Sequence, residues 1–241
     1  TDSLDKPFIE VGSIEKDLSD VEAQLHIIPF EGKFEGVAIL TPGSLGSFLY
    51  SIISNFAADG AILQKTSIWL DKLNTKVADE RLTISVNPSD PRICCGERYT
   101  ADGFRSEDFD LIKDGVLKSF LLSLYVANKT GFERAKNTSF SVVMEGGDTP
   151  YADMIKNVKR GIIVGRFSGG QPGSNGEFSG VAKNSFLVED GEIKGAVTET
   201  MINGNLADML KNIISISKET VEDGTSVLPY IAVDGIVIAG K

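Results

Sequence analysis

The chain has 241 residues, 41% apolar and 24% charged, which suits one large or two small packed domains and excludes a disordered polymer. Its formal net charge of −10, uninterrupted by any cluster of Lys and Arg, opposes a phosphate backbone and argues against direct nucleic-acid binding. No apolar run approaches the roughly 20 residues of a membrane span, and the opening TDSLDKPFIE lacks the basic and apolar regions of a signal peptide, so a cytoplasmic location is expected.

In chain order, His26 is the single histidine and lies in EAQLHIIPF, whose alternation predicts a strand. Val37 to Leu40 predicts a short apolar strand. After the turn Thr41-Pro42-Gly43-Ser44, residues Leu45, Phe48, Leu49, Ile52, Ile53 and Phe56 recur at helical spacing and predict a helix burying one face, ending near Asp59-Gly60. Leu82 to Val86 alternates as a strand, closed by Asn87-Pro88. Cys94 and Cys95 are adjacent, a strained arrangement for a bridge, and read as reduced thiols. Asp102, Glu107 and Asp108 form an acidic cluster around Gly103 that reads as a solvated loop rather than an acid/base pair.

Three Asp-Gly pairs, Asp114-Gly115, Asp190-Gly191 and Asp234-Gly235, sit between apolar runs, and each predicts a β-hairpin because this dipeptide accepts positive φ. Thr149-Pro150 predicts a helix start, with Met154, Ile155 and Val158 inward and Gly161 as terminator. Asn205 is expected to cap a last helix with Leu206, Met209, Leu210, Ile213 and Ile214 inward. Ser215 and Lys218 match S-x-x-K, a spacing common by chance, at what reads as the end of that helix. The whole predicts an α+β fold rich in antiparallel strands.

The segment from Gly165 to Gly180, GRFSGGQPGSNGEFSG, holds six glycines and is the best candidate for a functional surface. It lacks the Gly-Lys-Ser/Thr of a phosphate loop. Read as an exposed loop with few buried contacts, it offers backbone amides at Gly169 and Gly170 that could take an extended peptide by strand addition or receive a neighbouring subunit. Gln171, Asn175, Glu177 and Ser179 are the polar candidates for the same contact. With one histidine, no multi-histidine metal site can be built within the chain, and no segment has calcium-loop spacing; an all-carboxylate site stays open.

The run from Arg160 to Ser217, with GVAILTPGSLGSFL near Gly36 and DLIKDGVLKSFLLSLYVANKTG near Asp110, resembles the C-terminal domain of the TldD/PmbA family, two-subunit peptidases also called modulators of DNA gyrase. In the metal-binding, TldD-type branch the helix after the matching turn carries H-E-x-x-x-H, two metal ligands and a water-activating glutamate. Here Tyr50, Ser51 and Asn55 stand at those positions. That branch also carries a cysteine in its last stretch, and EDGTSVLPYIAVDGIVIAG has none. The resemblance therefore implies the PmbA (TldE) type: no catalytic or metal-binding residues, no cofactor, and a role in shaping the cavity and binding unfolded peptide. Its partner would be a TldD-like metal-bearing subunit or a second copy. An alternative is a self-sufficient homodimeric hydrolase with a carboxylate or Ser/Lys site. Family members carry a whole domain before the motif helix, so residues 1–20 are expected to be a linker or the remnant of such a domain, and residues 21–241 the C-terminal domain.

Overall fold

The computed structural model describes residues 7–240; the first six residues of the expected linker lie outside it. The rest of that stretch holds a 3-10 turn at Phe8–Glu10 and the start of helix α1 (Ile14–Ala23), which runs across the expected boundary at residue 20. The first strand, β1 (Lys33–Leu40), leads into the long helix α2 (Pro42–Phe56) and the short α3 (Asp59–Leu63). A middle region follows with β2 (Ile84–Val86), the hairpin β3 (Phe109–Lys113) and β4 (Val116–Leu117), α4 (Leu124–Thr130), β5 (Val142–Val143) and α5 (Tyr151–Lys156). The last third carries β6 (Arg160–Val164), β7 (Arg166–Gly169), β8 (Glu177–Lys183), β9 (Ser185–Glu189), β10 (Glu192–Val197), β11 (Thr200–Asn205), α6 (Leu206–Lys211), β12 (Ile213–Glu222) and β13 (Val227–Ala239).

The fold is α+β. Among the described strands β1 with β6 and β13 with β5 run parallel, and the other pairings are antiparallel. Strand β13 is the hub, pairing with β1, β11, β12 and β5. Its neighbourhood explains why the central strands read as continuous apolar runs. In a strand, successive side chains take opposite faces. Ala38 and Leu40 of β1, Ile162 and Val164 of β6, and Ile231 and Val233 of β13 join the main core under α2 and α6. The alternate residues Ile39, Ile163 and Ala232 join a second core with Met154 and Val158 near α5. Both faces are covered, so both sets must be apolar.

Helix α2 forms where the periodicity places it, and its six predicted apolar residues are all buried. Pro42 occupies the first turn, where its missing N–H costs nothing, and the Ser44 amide donates to Thr41 Oγ1 at the cap. Two of the three Asp-Gly pairs make two-residue hairpins. Asp114 and Gly115 have φ of 49° and 75°, and Asp190 and Gly191 of 52° and 78°, the double positive φ of a type I′ turn.

Several expectations are corrected. Asp234-Gly235 makes no hairpin: Gly36 pairs with Ile236 and Ala38 with Val233, so two residues oppose Val37 in a bulge inside β13, with Gly235 at φ 78°. The bulge falls where β13 passes from pairing β12 to pairing β11. The segment around His26 is no strand; it is a turn with one isolated bridge, Ile27 to Ala196, and His26 is exposed. Helix α5 ends at Lys156, and Gly161 lies in β6, where a Cβ would sit 2.3 Å from the Val37 carbonyl oxygen. The α6 cap holds, since Asn205 accepts from the amides of Ala207 and Asp208, but the helix stops at Lys211. Ile213 and Ile214 open β12 instead, β-branched neighbours on opposite faces, one buried and one exposed.

Candidate groove over helix α2

Two hydroxyls fix the start of α2 against the β6–β7 junction. Thr41 Oγ1 donates to the Gly165 carbonyl at 3.1 Å, and the buried Ser44 Oγ donates to the Val164 carbonyl at 2.8 Å. With the apolar stripe turned down, the helical period turns Gly43, Ser47 and Tyr50 outward. The Tyr50 ring is 60% exposed and meets Phe140 edge-on, with centroids 5.5 Å apart. Ser51 Oγ donates to the Ser47 carbonyl at 3.1 Å and Asn55 Nδ2 to the Ser51 carbonyl at 2.9 Å, so both polar groups are turned onto their own helix.

The outward face of α2 floors a groove of about 500 Å³, walled by Phe140, Gln171 and the turn between β12 and β13. Past Gly43 and Ser47 it continues into a second hollow of about 480 Å³ bordered by α1, Arg166 and Tyr230. Asp223 and Ser226 border both hollows. Burial alone would raise the Asp223 carboxyl, but it accepts from the amides of Thr225 and Ser226 at 2.7 and 2.6 Å and from both hydroxyls, which together hold it below its ordinary range. Tyr230 stacks on Tyr151 with centroids 4.1 Å apart; burial pushes both phenols up, joined at Tyr151 by Tyr230 and then Asp20 and at Tyr230 by Asp20, Asp17 and Glu219.

The glycine-rich segment is not the open loop its composition suggests. Residues 166–169 and 177–183 form the antiparallel β7–β8 hairpin, leaving a turn of residues 170–176. Gly169 pairs with Gly180, and the Phe167 ring lies over the pair: a Cβ on Gly169 would sit 2.7 Å from Phe167 Cζ, and one on Gly180 2.5 Å from it. These glycines let Phe167 pack on Phe48 and Phe178, at 5.0 and 5.5 Å. Gly170 faces open space. The far half of the turn is tied to α6: Asn205 Nδ2 donates to the Asn175 carbonyl at 2.9 Å, and the Leu206 amide to the Gly176 carbonyl at 2.9 Å.

Of the sequence-derived candidates, the fold brings Tyr50, Ser51 and Gln171 into one groove. Asn55, Asn175, Glu177 and Ser179 are not among its lining residues; Asn175 Oδ1 accepts from the Glu177 amide within the turn, while Glu177 and Ser179 lie exposed on β8. Phe140, Asp223 and Ser226 were not singled out. For Asp223 a signal exists, since Asp223-Gly224 is a further Asp-Gly pair ahead of the apolar run from Val227; for Phe140 none does. The acidic cluster is structural in part: Asp102 accepts from the Leu124 amide at the start of α4, and Asp108 from the amide and hydroxyl of Ser89. Ser215 and Lys218 lie on β12 rather than at a helix end. Cys94 is half-buried and Cys95 exposed, with no disulfide.

Tyr50, Ser51 and Asn55, which the resemblance sets against a metal motif, do not fit a metal. Tyr50 is a phenol packed on a phenylalanine, and Ser51 and Asn55 offer a hydroxyl and an amide already bonded to the helix, poor donors beside imidazole and carboxylate. Among the described residues no group of three or more His, Cys, Asp or Glu is placed to hold a metal ion. None of the described helices is long and apolar enough to cross a membrane.

A family model described as the PmbA/TldA metallopeptidase C-terminal domain matches residues 35–240. The chain belongs to this family. It is 27% identical over 205 residues to the metalloprotease PmbA of Escherichia coli O157:H7, which covers 82% of this chain and 45% of that protein. Among solved structures, a modulator of DNA gyrase from Bacteroides thetaiotaomicron superimposes with a TM-score of 0.84 at 27% identity, covering 94% of this chain and 52% of that one. TldE from Thermococcus kodakarensis shares the fold, with a TM-score of 0.81 at 24% identity over 94% of this chain and 55% of its own. The chain thus spans about half the length of the proteins it matches.

Proposed function

We propose that this PmbA/TldD-family chain is the metal-free member of a two-chain peptidase, holding unfolded peptide in the groove over α2 while a metal-bearing chain activates water. The observation that carries this reading is the donor set: Tyr50 and Ser51 line the groove and Asn55, one turn on, is bonded to its own helix, so the three positions that the resemblance sets against the metal motif offer a phenol, a hydroxyl and an amide. Strand β7 supports it, because it pairs only with β8 among the described strands, and its first residue Arg166 and Gln171 in the turn that follows it border the two hollows. A free strand edge beside a groove suits an extended peptide, whose backbone can complete the ladder. In this reading residues 21–241 serve as the C-terminal unit of a cytoplasmic subunit, joined through residues 1–20, and the partner is a TldD-like chain or a second copy.

The test mixes this chain with a metal-bearing homologue and follows cleavage of an unstructured peptide. The mixture is expected to form a complex and cleave, and this chain alone to be inert. Turnover by this chain alone that survives a chelator would favour the self-sufficient hydrolase instead.

A further inference from the structure

We infer that Tyr50 and Phe140 form a side-chain subsite within that groove, taking one aromatic or large aliphatic residue of an extended peptide that carries a lysine or arginine about three or four residues away, toward α1. The inference rests on the peptide-binding reading above and adds to it the class of peptide.

Three observations carry it. First, Tyr50 and Phe140 are 60% and 38% exposed, and they meet edge-on at 63°, so an outer ring face stays open to the groove. Aromatic pairs of this geometry readily take a third ring or an aliphatic side chain. Second, the floor leading away from the pair is nearly without bulk: Ser47, Gly46 and Gly43. A Cβ on Gly46 would already touch Leu228 Cδ1 at 3.4 Å, so the passage is shallow enough for a backbone and small side chains, and a large one is accommodated at the Tyr50 end. Third, the other end is acidic. Asp17, Asp20 and Asp223 border it against Lys16 and Arg166, and since Lys16 pairs with Asp20 the balance left is Asp17 and Asp223 against Arg166. Asp223 is held ionised by its hydrogen bonds, and the chain around it carries a net charge of −10. An anionic occupant is repelled there and a cationic one attracted.

The spacing follows from helix geometry. Gly43 and Tyr50 are seven residues apart on α2, roughly 10 Å at about 1.5 Å per residue, which an extended strand covers in about three residues at about 3.3 Å each.

The experiment measures binding of the wild-type chain by calorimetry to short unstructured Gly/Ser peptides. They carry Phe or Ala at the centre and Lys or Glu three residues to either side. The Phe peptide is expected to bind about tenfold more tightly than the Ala peptide, and replacing Lys by Glu to weaken it severalfold. Tyr50→Ala should bring the Phe and Ala peptides to within about twofold of each other, whereas Tyr50→Phe, which keeps the ring, should retain the preference. Tyr50 is exposed, so neither variant endangers the fold. Equal binding of Phe and Ala peptides to the wild type, or a preference that survives Tyr50→Ala, would overturn the subsite while leaving peptide binding in place. Binding of no peptide at all would remove the groove reading and the subsite with it.

Discussion

Gly169 and Gly170 are neighbours with different duties. The first is wedged between Gly180 and the Phe167 ring, and the second faces open space. Gly169→Val is therefore expected to destabilise the fold by about 1–3 kcal/mol through overpacking, whereas Gly170→Val should leave the melting temperature within a few degrees. Thermal melts of the two single variants decide this, and equal melting temperatures would refute the Phe167 packing. Composition could not separate the pair, because it reports flexibility and says nothing of a ring folded back from two residues away. Asp223 gives a second residue-scale expectation. Its carboxyl is held below its usual value of 3.8, so the stability it contributes is present above about pH 4 and is lost as pH falls through the lower folded value. Asp223→Asn should lower stability at neutral pH and flatten the loss below pH 4; urea melts from pH 7 to pH 2 that show parallel acid limbs for both proteins would contradict this.

Helix α2 and helix α6 show what periodicity can and cannot deliver. In α2, apolar spacing, a Thr-Pro start and a single buried face agree, and the element forms over Pro42–Phe56. Phe56 is fully buried with its ring 5.0 Å from Trp69 and closes the helix against the core. Phe56→Ala should cost about 3–5 kcal/mol, read as a shift of the urea midpoint with an unchanged slope. In α6 the same pattern runs on for a further turn in the sequence, but Ile213 and Ile214 go into β12, where pairing with β13 outweighs weak helix propensity. Asp-Gly likewise marks a turn only where two strands can fold back: at Asp234-Gly235 a continuous partner, β1, runs past it and the dipeptide becomes a bulge. The groove was the least legible element. Its lining comes from α1, α2, Arg166, Gln171, Phe140 and the Asp223 turn, segments far apart in the chain, and only helix α2, Gln171 and the Asp223-Gly224 pair carried any sequence signal.

Across the whole molecule, the hub strand β13 ties α2, the β7–β8 hairpin and the Asp223 turn into one frame, through β1, β11 and β12. The groove is therefore held by the frame of the fold, and the side chains placed in it set its chemistry. Helix α2 turns Tyr50 and Ser51, a phenol and a hydroxyl, to that groove, and its Asn55 amide is bonded to the helix backbone. Introducing the motif as Tyr50→His, Ser51→Glu and Asn55→His should bring little hydrolysis, because the tail cysteine that the resemblance gives the metal-binding branch stays absent from 222–240 and ligands also need groups that orient them. The most direct measurement is the metal content of the purified chain by elemental analysis after dialysis. Zinc and iron far below one equivalent per chain are expected; close to one equivalent of either would contradict the metal-free assignment.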